Sequence, residues 1–107
     1  MTGADLTGAN LSGAILHRAD MTDAILTGAV LSGAVMTRTN LHRVNLRGKD
    51  MTGADMTGAN LSYSDMTGAD LLCAVFTMAN LTYCTMTGAD LTGADMFDAN
   101  LTGAILS

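Results

Sequence analysis

The chain has 107 residues, ten Asp against five Lys and Arg, and a net charge of −5. Its mean hydropathy is +0.32, yet Gly, Thr or Asp interrupts every apolar stretch, so no run approaches the roughly 18 residues of a membrane span. Two Cys are too few for a disulfide framework, and an excess of acid opposes direct binding to nucleic-acid phosphate.

In the first twenty residues a unit of five is already clear: Ala4-Asp5-Leu6-Thr7-Gly8, then Ala9-Asn10-Leu11-Ser12-Gly13. Its large apolar residue returns at every fifth position from Met1 to Leu106, always as Leu, Met or Phe. A strict repeat over a whole chain is the mark of a solenoid. No α-helix holds this period, because five residues at about 100° each leave a drift of about 140° per unit. A continuous strand fails as well, since an odd period flips the large residue to the other face each time. A short extended segment followed by a corner resolves both conflicts. The large residue and the small one two before it then point inward. Gly, two residues after the large one, supplies the positive φ of a type II turn. All 12 Gly occupy that slot.

From residue 21 onward the coil size can be tested by kinship at a lag of 20. Asp20, Asn40, Asn60, Asn80 and Asn100 form one column, and Arg18 falls over Arg38. A lag of 15 mixes Asn10, Ile25, Asn40 and Asp55. Four sides and about five coils of 20 residues are therefore predicted, an all-β single domain over 1–107. With neighbouring coils about 4.8 Å apart, the rod should be about 25 Å long.

Between residues 39 and 49 the pattern is disturbed, with Thr39, Val44 and Lys49 in three successive slots meant for Ala. A buried unpaired ammonium is very costly, so Lys49 should reach out to water or deform its coil. Asp23, Arg43, Tyr63 and Tyr83 replace Gly in one corner column, and an ion pair, a cation–π contact and a Tyr–Tyr stack are expected along it. Such a ladder either stabilises the surface or anchors a protein partner through Arg43, Tyr63 and Tyr83. His17 and His42 are read as solvated residues beside corners.

The second half carries the acid. Residues 50–107 hold seven Asp and no base, whereas residues 1–49 are net +2. Asp50, Asp70 and Asp90 stack in one column, with Asp55 and Asp95 on the next face. The column has three readings: Asx turns that simply accept Asp, a negative stripe imitating nucleic-acid phosphates, or a divalent cation site. Cys84 fills an inward slot and Cys73 a corner, which argues against a bridge between them. Ser and Thr recur as part of the repeat, and no catalytic set, phosphate-cradling loop or metal-ligand spacing emerges; neither enzyme, cofactor nor metal site is expected. The segment 101–107 is still repeat, so uncovered coil ends should drive self-association.

With its units Ala-(Asp/Asn)-Leu-Thr-Gly over essentially the whole length, the chain resembles the pentapeptide repeat family. The resemblance implies a right-handed quadrilateral β-helix. It also implies two functional expectations: a non-enzymatic structural or protein-interaction module, or a DNA-mimicking protein that binds the type II topoisomerases gyrase and topoisomerase IV, as some members do. With the repeat starting at residue 1, no signal segment is expected ahead of it and a cytoplasmic setting is the default.

Overall fold

The computed structural model describes residues 1–107. Each unit turns one corner. The carbonyl of the large residue accepts the N–H of the small residue three positions on, from Ala4 N–H to Met1 O (2.9 Å) through to Ala104 N–H to Leu101 O (2.9 Å). The residue between, two after the large one, has φ between 54° and 70° in every unit. Gly adopts that conformation freely, while an L side chain there costs on the order of 1–2 kcal/mol. Nine units accept the cost, with Arg18, Asp23, Arg38, Arg43, Tyr63, Cys73, Met78, Tyr83 and Asp98.

Coils stack by parallel bridges between residues 20 apart, such as Asp5↔Ile25, Asn40↔Asn60 and Val75↔Asp95. Four units per coil, the register expected from the columns, is therefore the observed one, and the molecule is a right-handed quadrilateral β-helix. Its extents are 29 × 21 × 21 Å. The first coil comprises residues 1–20, the second 21–40, the third 41–60, the fourth 61–80 and the fifth 81–100, with 101–107 starting a sixth. A single core column runs through them, with Leu31, Met36, Leu41, Met56, Leu71, Phe76 and Leu81 fully buried and Ala34, Ala54, Ala59 and Ala74 between them. Burying each large side chain is worth about 1.5–3 kcal/mol.

The slot before each large residue points outward and caps the turn that follows it. Asp or Asn Oδ1 accepts the N–H two residues on at every occupied position, from Asp5 and Asn10 to Asp95 and Asn100. The hydroxyl at that next position often donates to the same oxygen, as Thr57 Oγ1 does to Asp55 (2.6 Å). Asn adds a link along the rod that Asp cannot make. Asn60 Nδ2 donates to Asn40 Oδ1 (3.2 Å) and Asn80 Nδ2 to Asn60 Oδ1 (3.3 Å).

One stretch of the stack is broken. The bonds that the ladder would place from Asp23 N–H to His42 O, Leu26 N–H to Asn45 O, Gly28 N–H to Arg47 O, Asn45 N–H to Ala24 O and Asp50 N–H to Ala29 O are all absent. The bridges Ile25↔Asn45 and Val30↔Asp50 are missing with them. Intact bonds border the gap, Met21 N–H to Asn40 O (2.8 Å) on one side and Leu31 N–H to Asp50 O (3.0 Å) on the other. Val44 and Lys49 hold the inward slots 20 residues on from Ala24 and Ala29, whose carbonyls lose their bonds, while on the other side of the same coil Asp65 N–H to Val44 O (3.2 Å) and Asp70 N–H to Lys49 O (2.9 Å) are kept. Thr39, the third disturbed slot, is accommodated: its buried hydroxyl donates to Leu16 O (2.7 Å), and Asn40 N–H still reaches Ala19 O (2.9 Å).

Candidate functional site

The aromatic ladder is built by corner geometry. At positive φ a corner side chain leans over the corner of the following coil. Arg38 Cγ would stand 3.3 Å from a Cβ at Gly58, Cys73 Sγ 3.2 Å from one at Gly93, and the Tyr83 ring 2.5 Å from one at Gly103. Tyr63 accordingly lies on Tyr83, with ring centroids 5.1 Å apart and planes 16° from parallel. Both rings are about half exposed, at 53% and 54%. Gly103 completes the column, because the Tyr83 ring fills the space a side chain there would need.

Two expected contacts are not formed. Asp23 and Arg43 make no ion pair; the pair that exists is Arg47 Nη1 to Asp65 Oδ2, 3.1 Å. The reason lies in the broken stretch, where the Asp23 corner has lost its bond to the third coil. The cation–π contact of Arg43 with Tyr63 is absent as well. His42 takes the edge of that ring, at 5.7 Å and 78°, while its Nδ1 bonds Ser62 Oγ (2.8 Å). His42 is thus a ladder residue rather than a solvated one, and its position one before the corner slot, 20 before Ser62, was the signal available in the sequence. His17 bonds Thr37 Oγ1 in the same way.

The acidic columns are where the repeat places them. Asp50, Asp70 and Asp90 are bridged in series and exposed. Their Oδ1 atoms accept N–H from Thr52 (3.1 Å), Leu72 (3.2 Å) and Thr92 (3.0 Å), so the Asx-turn reading holds for all three. Asp55 and Asp95 do not adjoin one another, since Val75 is bridged to both. At Asp90 the Thr92 hydroxyl, then its N–H, hold the carboxyl below the usual value. Thr7 does the same for Asp5 and Thr22 for Asp20. At Asp65 partial burial works against ionisation, but the Thr67 hydroxyl and N–H and the Arg47 guanidinium outweigh it, and its carboxyl also lies low. No three His, Cys, Asp or Glu side chains converge on a common point.

Cys84 is buried and Cys73 exposed, both as free thiols, and burial pushes the Cys84 thiol up to about 11. The structure adds an apolar pair that the repeat alone did not single out. Met78, at a corner, and Phe97, in a slot usually held by Thr, are exposed neighbours joined by Met78 N–H to Phe97 O (2.9 Å). No helix is long and apolar enough to cross a membrane.

A family model described as pentapeptide repeats matches residues 1–38, 34–71 and 73–107 in eight copies. Among solved structures, the chain is similar to HetL, a pentapeptide repeat protein involved in heterocyst differentiation regulation in the cyanobacterium Nostoc. The two share 31% identity over all of this chain and 64% of HetL, with a TM-score of 0.50. It is also similar in fold to QnrB1, a plasmid-mediated fluoroquinolone resistance protein, at 21% identity over 99% of this chain and 57% of the other, with a TM-score of 0.60. A pentapeptide repeat protein of the Arabidopsis thaliana thylakoid lumen matches at 32% identity over 94% of this chain and 70% of its own, with a TM-score of 0.38. The chain therefore spans less than two thirds of HetL and of QnrB1. A search of curated protein sequences returns no match.

Proposed function

This chain belongs to the pentapeptide repeat family, and from that premise we propose that it is a non-enzymatic interaction module, a stiff rod that presents side chains to a protein partner. The observation that carries this reading is the Tyr63–Tyr83 stack. Two half-exposed aromatic rings stand at corners where Gly is free and any other residue costs energy. Exposed aromatic and Arg residues are the types that dominate binding hot spots. Arg43, next in the column, widens that surface. The partly buried leucines at the two ends of the rod, Leu6 and Leu11 at one and Leu91 and Leu101 at the other, are the second candidate contact, for end-to-end self-association with another copy. A reducing, cytoplasmic setting agrees with the two thiols.

Replacing Tyr63 and Tyr83 together by Gly tests the ladder. The double variant keeps its fold, because Gly suits both corners, and it loses the partner retained by the wild-type rod in affinity capture. If capture by the two proteins is identical, the ladder is only a surface brace. Sedimentation of the wild type across a concentration series tests self-association, and a single monomeric species throughout removes that surface.

The acidic half favours a second reading, a mimic of DNA that engages a type II topoisomerase through Asp50, Asp70 and Asp90 with Asp55 and Asp95 beside them. Supercoiling by purified gyrase, titrated with this protein at two salt concentrations, decides it. A mimic inhibits strongly at low salt and weakly at high salt, since charge carries the contact. No inhibition at either salt leaves the interaction rod alone.

A further inference from the structure

The broken stretch between the second and third coils is a cleft of about 470 Å³, within the range of ~300–1,000 Å³ typical of ligand sites. Ala24, Ile25, Leu26 and Thr27 form one wall, and Asn45, Arg47 and Lys49 the other. Two independent features of it point to an occupant.

The first is the backbone. Leu26 N–H and Ala24 O on one wall and Asn45 N–H and Asn45 O on the other are edge groups of a parallel ladder with no partner across the gap. Backbone groups of a ladder edge pair with water or with another strand, and an extended segment supplies both the donors and the acceptors they need. If the seam parts to two ladder spacings of about 4.8 Å each, a strand between Ile25 and Asn45 accepts from Leu26 and donates to Ala24 on one side while meeting Asn45 on the other. A simple anion satisfies the N–H groups and none of the carbonyls.

The second is charge. Arg47 and Lys49 line the cleft, and Lys49 has no carboxylate in ion-pair range. Each coil is otherwise secure on its far side. The third is tied to the fourth by Leu46 N–H to Asp65 O (2.8 Å) and the Arg47–Asp65 pair, and the second to the first by Ile25 N–H to Ala4 O (2.9 Å). The walls are therefore firm and only the seam between them is open.

We propose that this seam is a binding site for an acidic peptide segment in extended conformation, inserted as a strand between Ile25 and Asn45 with its carboxylate on Lys49 and Arg47. Small side chains flank the acid, because the neighbouring positions face Ala24 and Leu26. The site is separate from the tyrosine ladder and does not depend on that reading.

The probe is the capped pentapeptide acetyl-Gly-Ala-Asp-Ala-Thr-amide, and the readout is amide hydrogen exchange at Leu26, Gly28 and Asn45 followed by NMR. Saturating peptide slows exchange at Leu26 and Asn45 at least tenfold. Asn in place of Asp weakens binding about tenfold, and N-methylation at the Asp nitrogen abolishes it while keeping the charge. Lys49→Met keeps the bulk that holds the seam apart and binds about tenfold more weakly. Lys49→Ala lets the seam close, so these amides are protected without peptide and peptide adds nothing. The proposal is overturned if the N-methylated peptide protects equally, if inorganic phosphate alone gives the same protection, or if no amide of the seam responds.

Discussion

The second coil meets the third, and the fourth meets the fifth, through the same four columns of slots, yet one junction is open and the other closed. At the closed junction Cys84 stacks on Ser64 and Ala89 on Ala69, and the bonds Thr85 N–H to Ser64 O and Asp90 N–H to Ala69 O are both 3.0 Å. At the open one Val44 stacks on Ala24 and Lys49 on Ala29, and the corresponding bonds are lost. Both junctions carry a departure from Ala. What differs is the second slot: Cys84 and Val44 are both buried, but Lys49 stands only partly buried where Ala89 stands in the other junction, and Ala24 and Ala29 keep 6% and 5% exposure where Ala34, Ala54 and Ala59 have none. Local additivity, usual in solenoids, lets one junction fail without unravelling its neighbours.

The largest expected effect contrasts two leucines of equal chemistry. Leu71→Ala, in closed coils, should cost about 4 kcal/mol, while Leu26→Ala should cost about 2, because Leu26 lines the cleft and the coils beside it are already parted. Urea unfolding of both variants measures the difference, and equal costs would mean that the seam is closed in solution. Next is Lys49→Ala, which should raise stability by about 2 kcal/mol through recovered ladder bonds. An unchanged or lowered midpoint would assign the opening to Val44 instead, and Val44→Ala would then show the gain.

A smaller pair of changes compares corners. Gly103→Ala should cost about 2 kcal/mol, from positive φ plus the clash with Tyr83, whereas Gly3→Ala, with open space around it, should cost about 1. Tyr83→Gly in the Gly103→Ala background should remove the clash and leave only the φ cost. The smallest effects are those of pH. The carboxyls of Asp5, Asp20, Asp65 and Asp90 lie below their ordinary 3.8 in the folded chain, so their contribution is complete above that value and is lost as pH falls through the lower folded values. Cys84 acts in the opposite sense: with its thiol raised from 9.0 to about 11, the contribution is present below pH 9 and is lost as pH rises toward 11. Thermal midpoints from pH 2 to 11 should fall at both ends, and Cys84→Ala should flatten only the alkaline arm.

Much of this architecture was legible from residue types alone, because in a coil each slot has one environment. A period of five and kinship at 20 sufficed for the four-sided ladder, its corners and its core column. The Tyr63–Tyr83 stack followed from the same register, as did the Asx turns of the acidic columns. Contacts that depend on how far apart two coils stand were another matter. The Asp23–Arg43 ion pair fails because the coils part there, and Arg43 yields the Tyr63 edge to His42, whose ring lies one residue away in sequence but is pinned by Ser62 from the next coil.

The spacing of Leu, Met, Ala and Gly thus determined by itself that the chain coils, since a corner in every unit turns each large residue inward and gives each positive φ its place, and the Asp and Asn columns at a lag of 20 set four sides per turn. It also marked Thr39, Val44 and Lys49 as misfits. Which misfit the stack absorbs and which one opens it was decided only by tertiary structure. Thr39 finds an acceptor in Leu16 O and fits, while beside Val44 and Lys49 the bonds to Ala24 O and Ala29 O are lost and the seam opens.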